Sequence, residues 1–159
     1  MAIPASISSY LDHHGIRYSV IEHPIAYTAQ EEAAATHVPG REWAKAVVCI
    51  VDNQPTIAVL PADHLVDFNR LRDACGGDSV RLATEAELRP LYTDCEVGAM
   101  PPLGPLYQQP VLVDKSLTID PEIVFNAGSH HEAIRMRYRD FEELVNPTVA
   151  DFGIPPGVH

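Results

Sequence analysis

Two apolar, β-branched runs, residues 46–51 and 56–60, are separated only by Asp52-Asn53-Gln54-Pro55. That separator is turn chemistry, so the two runs read as a hairpin in the core of a sheet. A two-stranded ribbon is not stable alone, and the rest of the chain must supply further strands and a covering layer. Residues 16–20 alternate like a strand, and residues 110–114, 122–126 and 133–138 read as later ones.

The covering layer is legible in the helix signals. Residues 4–14 place Ile7, Tyr10 and Leu11 on one face, with Gly15 as the stop. Thr28-Ala29-Gln30-Glu31 fits a capping box opening an alanine-rich helix that runs to about His37. Residues 67–75 form a third helix closed by Gly76-Gly77, and Thr84-Glu85-Ala86-Glu87 is a second capping box. Residues 140–145 form a closing helix. Helices and strands intersperse without a strict βαβ rhythm. The expected fold is therefore α+β, a mixed central β-sheet with flanking helices. With 159 residues, 46% apolar and 21% charged, and with no linker or repeat, the chain is expected to be one domain spanning 1–159.

Several function classes are excluded early. No apolar run approaches the ~20 residues needed to cross a bilayer, so no membrane partner is expected. Met1-Ala2-Ile3-Pro4-Ala5 has no basic segment followed by an apolar stretch, so no secretion signal is read and the cytoplasm is the expected compartment. The net charge of −11 argues against broad nucleic-acid binding, so DNA is not an expected partner; a small local basic site remains open. Cys49, Cys75 and Cys95 are odd in number, widely spaced and without a Cys-x-x-Cys pair, which speaks against disulfides or structural zinc. The eight histidines include the adjacent pairs His13-His14 and His130-His131, but no His-x-x-x-His or His-Glu-x-x-His spacing, so no metal is expected. No Gly-x-Ser-x-Gly turn marks a serine nucleophile, and Cys49 lies inside an apolar strand.

Four segments can carry chemistry, each with a plainer alternative. Gly98-Ala99-Met100-Pro101-Pro102-Leu103-Gly104-Pro105 is too rich in glycine and proline to be helical. It is either a rigid loop whose backbone amides face a substrate carbonyl, or a simple connecting turn. Lys45 opens an apolar strand, either as a point charge for a phosphate or as a lysine whose stem lies on apolar surface. Asn126-Ala127-Gly128-Ser129-His130-His131 follows a strand, either as a loop whose imidazole orients water or a ribose hydroxyl, or as a surface turn with solvated histidines. Arg135, Arg137 and Arg139 share one parity opposite Ile134, Met136 and Tyr138, and line either a solvated face or a local basic patch.

Taken in order, these segments resemble the YbaK/prolyl-tRNA-synthetase-associated domain family. The resemblance rests on His23-Pro24, Tyr27-Thr28-Ala29-Gln30-Glu31-Glu32-Ala33, Ala44-Lys45 and Ala58-Val59-Leu60-Pro61-Ala62. It continues through Gly98-Ala99-Met100-Pro101-Pro102-Leu103-Gly104, Pro110-Val111-Leu112-Val113-Asp114 and Phe125-Asn126-Ala127-Gly128-Ser129-His130. It implies a trans-editing hydrolase that deacylates mischarged aminoacyl-tRNA carrying a small amino acid, without metal or organic cofactor. By this resemblance Lys45, Gly98, Pro102 and His130 are candidate catalytic residues. Tyr27, Thr28, Ala99, Met100, Pro101, Gly128 and Ser129 join Lys45 as candidate substrate-binding residues. The resemblance also implies that the substrate's own 2′-hydroxyl positions or activates water, and that the partner is the tRNA acceptor end. A synthetase or an elongation factor is a candidate helper. Two departures bear on the substrate: Ala46 follows Lys45 where some relatives carry a polar residue, and Met100-Pro101 replaces smaller or polar residues, which would narrow or reshape the pocket. The reading from another class is a noncatalytic module of the same fold that binds a small molecule or an aminoacyl group.

Overall fold

The structure, a computed structural model, describes residues 3–157. The first two residues of the N-terminal segment read above lie outside that range. Helix α1 (Ala5–His13) buries Ile7 and Leu11. Strand β1 (Tyr18–Glu22) begins two residues later than the alternation at 16–20 suggests. Helix α2 (Ala29–Ala35) is capped by Thr28, whose hydroxyl accepts from the Glu31 amide at 3.1 Å. Strands β2 (Ala44–Val51) and β3 (Gln54–Pro61) form the expected hairpin, with a tighter turn than expected. Val51 pairs with Gln54, and Asp52 and Asn53 take φ of 47° and 72°, the two-residue turn whose twist matches the strands.

Then come β4 (Leu65–Val66) and α3 (Phe68–Cys75), the latter capped by Asp67 accepting from the amides of Asn69 and Arg70. Strand β5 (Val80–Leu82) and α4 (Glu85–Leu91) follow, and both bonds of the capping box form between Thr84 and Glu87. The last elements are β6 (Val111–Asp114), β7 (Glu122–Ser129), β8 (Glu132–Arg137), α5 (Tyr138–Val145), β9 (Thr148–Ala150) and β10 (Gly153–Ile154). Two expectations are corrected here. The segment Asn126 to Ser129, read as loop, continues β7 through a bulge in its pairing with β8. Arg139, read on the strand face of Arg135 and Arg137, lies on α5 and pairs with Glu143.

The strands assemble as a five-stranded mixed sheet, β5-β2-β3-β6-β9, and a three-stranded antiparallel sheet, β1-β8-β7. The two are stitched where the Val124 amide donates to the Glu42 carbonyl at 3.0 Å, beside a Trp43–Val124 bridge. This is the α+β arrangement expected, its mixed sheet continued by an antiparallel one. The largest core joins Val48, Ile57, Val59 and Val113 to Phe125 and Ile134 of the other sheet, closed by Leu11 of α1 and Phe141 of α5. Helix α3 and Phe152 cover the far face of the five-stranded sheet, and α2 covers the outer face of the three-stranded one. Cys49 is fully buried in the α3 layer, and burial pushes its thiol up to about 12, which makes it inert at neutral pH.

Asp114, 2% exposed at the end of β6, clasps the C-terminal segment. Its carboxylate accepts from the amides of Phe152 (2.9 Å), Gly153 (2.7 Å) and Ser116 (3.2 Å), and from the Ser116 hydroxyl. Burial pushes this carboxyl up, but the hydrogen bonds outweigh it and hold it below the usual aspartate value. A depressed folded-state pKa contributes stability above the unfolded value, and that contribution is lost as pH falls through the folded one. Asp114→Ala leaves buried amides unpaired, at a cost of about 3 kcal/mol, or roughly 6–12 °C in Tm for a chain of this length. Melting curves should show this gap at neutral pH and a smaller one in acid. Equal melting at neutral pH would remove the clasp from the list of stabilising contacts.

Candidate active site

Residues 23–26 cross from β1 to α2 pinned against the β7–β8 turn. The His23 amide donates to the His131 carbonyl at 2.9 Å, and the Ala26 amide to the His130 carbonyl at 3.1 Å. The chain then presents Tyr27 and Thr28 at the start of α2. Tyr27 is 71% exposed, with its ring 5.0 Å from that of His130. Lys45 reaches the carbonyls of Ala62 (3.4 Å) and His64, and lines a cleft with Thr28, Ala29, Gln30 and Ala62. Burial lowers the pKa of its ammonium, opposed in part by the charge of Asp63.

The glycine- and proline-rich segment is a loop fastened to the β7 bulge. The Glu96 amide donates to the Gly128 carbonyl (2.8 Å), and the Gly128 amide to the Ala99 carbonyl (3.0 Å). The Glu96 carboxylate accepts from the His130 amide (3.1 Å), and the His130 ring donates from Nε2 to the Val97 carbonyl (2.9 Å). That bond requires a proton on Nε2, and Nδ1 is buried without a partner among the described residues. Gly98 sits at φ +88°, where a Cβ would stand 3.4 Å from His130 Cε1. Gly128, at φ +95°, leaves no room for one, since its Cβ would meet Pro4 at 2.8 Å.

Within the loop, Ala99, Met100, Pro101 and Pro102 are buried. Met100, expected to narrow or reshape the pocket, packs into the main core, and its sulfur accepts from the Gly98 amide at 3.2 Å. Its influence on any ligand therefore runs through the backbone. The Ala99 amide is taken by the Glu96 carbonyl at 3.0 Å. Along the loop, the amides of Val97, Met100, Leu103 and Gly104 have no acceptor among the described residues.

The structure thus brings Lys45 and Thr28 to one cleft, and Tyr27, His130 and Gly98 into a contact chain beginning next to it. It does not bring Gly128 and Ser129 to that cleft. They line a different one with Pro4, Asp94, Cys95 and Glu96, where the Ser129 hydroxyl donates to Glu132 at 3.3 Å. His130 is 7% exposed, so the solvated-turn reading fails for it.

Sequence reasoning missed the pairing of Glu32 with Asn126. Glu32, 1% exposed on α2, receives the Asn126 side-chain amide once that amide is turned with its nitrogen toward the carboxyl. Burial pushes Glu32 up to about 8, with the Asn126 bond opposing and Glu31 adding to the rise. The available signal was parity: Asn126 is two residues from Val124 in an apolar strand, so its amide faces the same covered side and needs a partner.

Among the described residues, no three His, Cys, Asp or Glu side chains are grouped to hold a metal, and no helix is long and apolar enough to cross a membrane.

The fold and this site define an editing domain: residues 23–144 match the model of the aminoacyl-tRNA editing domain family, and the chain belongs to that family. Among its relatives, the multifunctional Ser/Thr-tRNA deacylase ProXp-y of Escherichia coli K12 is 28% identical over 151 residues, covering 89% of this chain and 87% of that protein. A proline–tRNA ligase of Nitratidesulfovibrio vulgaris is 27% identical over 112 residues, 70% of this chain but 19% of the ligase. A solved structure described as a candidate trans-editing enzyme for prolyl-tRNA synthetase shares the fold, with a TM-score of 0.81, 24% identity and coverage of 92% and 94% of the two chains.

Proposed function

We propose that the whole chain, residues 1–159, is one trans-editing deacylase domain that hydrolyses the ester of mischarged aminoacyl-tRNA carrying a small amino acid. The observation that carries this reading is the family match across residues 23–144, which includes Lys45, the Gly98 loop and His130. Water adds to the ester carbonyl, negative charge builds on its oxygen, the carbonyl–oxygen bond to the ribose breaks, and the ribose oxygen takes a proton. Lys45 holds a phosphate of the 3′-terminal adenosine as a point charge. Tyr27 offers its exposed ring for stacking a base, with Thr28 beside it. The loop, including Ala99, Met100, Pro101 and Pro102, frames the aminoacyl group by its backbone, with the Val97 and Met100 amides as donors to the developing oxyanion.

His130 acts as a positioning residue, because its ring proton and its amide both hold the loop. Gly128 and Ser129 support the bulge from behind. The substrate's 2′-hydroxyl supplies the polar group next to the attacking water. The reaction is placed in the cytoplasm, on the tRNA acceptor end, with a synthetase or an elongation factor as delivery partner.

The test is amino-acid release from a panel of tRNAs charged with alanine, serine, threonine, cysteine and proline. Release from the mischarged members is the expected result. Tight tRNA binding without release from any member would assign a binding module instead. Activity is also expected to survive exhaustive chelation, because the described side chains offer no three-ligand site. Loss with EDTA or phenanthroline and recovery with zinc would overturn the metal-free mechanism.

A further inference from the structure

The chain has eleven lysines and arginines against a net charge of −11. Among the described residues, eight of the eleven have a carboxylate within 4.0 Å. Of the other three, Lys45 donates to backbone carbonyls in the cleft described above. The remaining two, Arg17 and Arg135, line one and the same cleft, together with Arg137, Ser19 and the carboxylate of Glu122. Two cations with no carboxylate within 4.0 Å among the described residues are a pronounced asymmetry in so acidic a chain, where the other arginines are directly paired.

Register fixes where this cleft lies. Arg135 pairs with Ser19 on one side and Val124 on the other, and Arg137 pairs with Glu122. Arg135 has the parity of Ala133, whose side chain packs in the α2 layer with Val124 and Trp43. The arginines therefore open on the face of the three-stranded sheet that α2 covers further along, and α2 begins at Tyr27 and Thr28. Strand β8 rises about 3.4 Å per residue, so Arg135 stands about 10 Å along the strand from Glu132, next to the turn that bears His130. Glu122 faces Arg137 in register, and Asp140 pairs with Arg137 at 3.3 Å. With Arg137 offset by Asp140, Arg17 and Arg135 are in excess over Glu122, the carboxylate that lines the cleft, and each guanidinium presents a planar fork suited to phosphate oxygens.

We propose that the cleft of Arg17, Arg135 and Arg137 is a second contact surface for the RNA of the substrate, taking one or two backbone phosphates away from the aminoacylated end. The proposal rests on the deacylase reading for the identity of the RNA. It resolves the conflict between an acidic chain and a polyanionic ligand. The RNA is held at two basic points on one side, and the acidic remainder of the surface repels it from other orientations.

The test compares wild type with the double variant Arg17→Ala/Arg135→Ala, using Arg89→Ala as control. Arg89 is exposed and paired with Glu85 on α4. Binding of uncharged tRNA is measured by fluorescence anisotropy across a salt series, with circular dichroism and melting to verify folding. The double variant should bind about 10- to 100-fold more weakly at low salt, and its log–log salt slope should fall by about 1–2. The control should match wild type. Single-turnover deacylation at saturating substrate should be unchanged, as should cleavage of an aminoacylated adenosine too short to reach the cleft.

An unchanged affinity and slope in a folded double variant would overturn the proposal, and would leave the cleft to an acidic protein partner or to solvent. Binding is read without hydrolysis, so the two ideas fail separately. A wild type that binds tRNA with the expected slope but releases no amino acid defeats the deacylase reading. A wild type that deacylates, with a variant of equal slope, defeats the cleft alone.

Discussion

Replacing Gly98 with alanine is expected to slow deacylation roughly 100- to 1,000-fold while changing tRNA affinity little. Gly98 holds φ at +88°, a conformation that carries a penalty for any residue with a Cβ. The new methyl group would stand in van der Waals contact with the His130 ring at 3.4 Å, and that ring holds the loop through the Val97 carbonyl. Relief of the backbone strain at that φ shifts the loop, and with it the Val97 and Met100 amides. An oxyanion donor works because it stands in place before the charge appears, so a small displacement costs far more in rate than in binding. Single-turnover deacylation, measured beside equilibrium binding of a nonhydrolysable aminoacyl-tRNA analogue, separates the two quantities. A wild-type rate would make the loop a mere connector and end its catalytic assignment.

Lys45→Ala should lower kcat/KM by roughly 10- to 150-fold, the equivalent of one charge-assisted contact of about 1.5–3 kcal/mol. The ammonium is half-buried and already held by the carbonyls of Ala62 and His64, so its direction is set before the tRNA end arrives. The partners left behind are backbone carbonyls beside an open cleft, which water can satisfy, so the fold should persist. Arginine is not a conservative replacement here, because its longer planar head cannot occupy a lysine's seat between two carbonyls. The measurement is deacylation of a mischarged tRNA, with circular dichroism to verify folding. An unchanged kcat/KM would remove Lys45 from the site.

Elements with strong local signals were legible from the residues alone. The Thr84–Glu87 capping box and the core hairpin each satisfy their own backbone groups within a few residues, so short-range chemistry specifies them. Strands β4, β9 and β10 span two or three residues each and exist only through partners distant in sequence. The bulge that carries β7 past Asn126 has the same origin, since the alternation breaks where the extra residues enter. At the site, the residue types were readable and their grouping was not. Spacing along the chain does not reveal that His130 sits under Tyr27 and against Gly98, or that Ser129 faces the other way. The Glu32 pairing escaped notice because a glutamate beside Glu31 in an alanine-rich helix looks solvated until Asn126 is placed against it.

The Asp114 clasp has a bearing on self-association. Strand β9, only three residues long, covers one side of β6, all four of whose residues are buried. The Phe152 and Gly153 amides that Asp114 holds lie just beyond β9, so the carboxylate anchors the chain that forms this cover. Protonating it in acid loosens that anchor. A detached β9 bares a row of unpaired backbone groups on an apolar strand, the template on which chains join edge to edge. Acid should therefore produce concentration-dependent light scattering before the chain is fully unfolded, with Val111, Leu112 and Val113 at the seam.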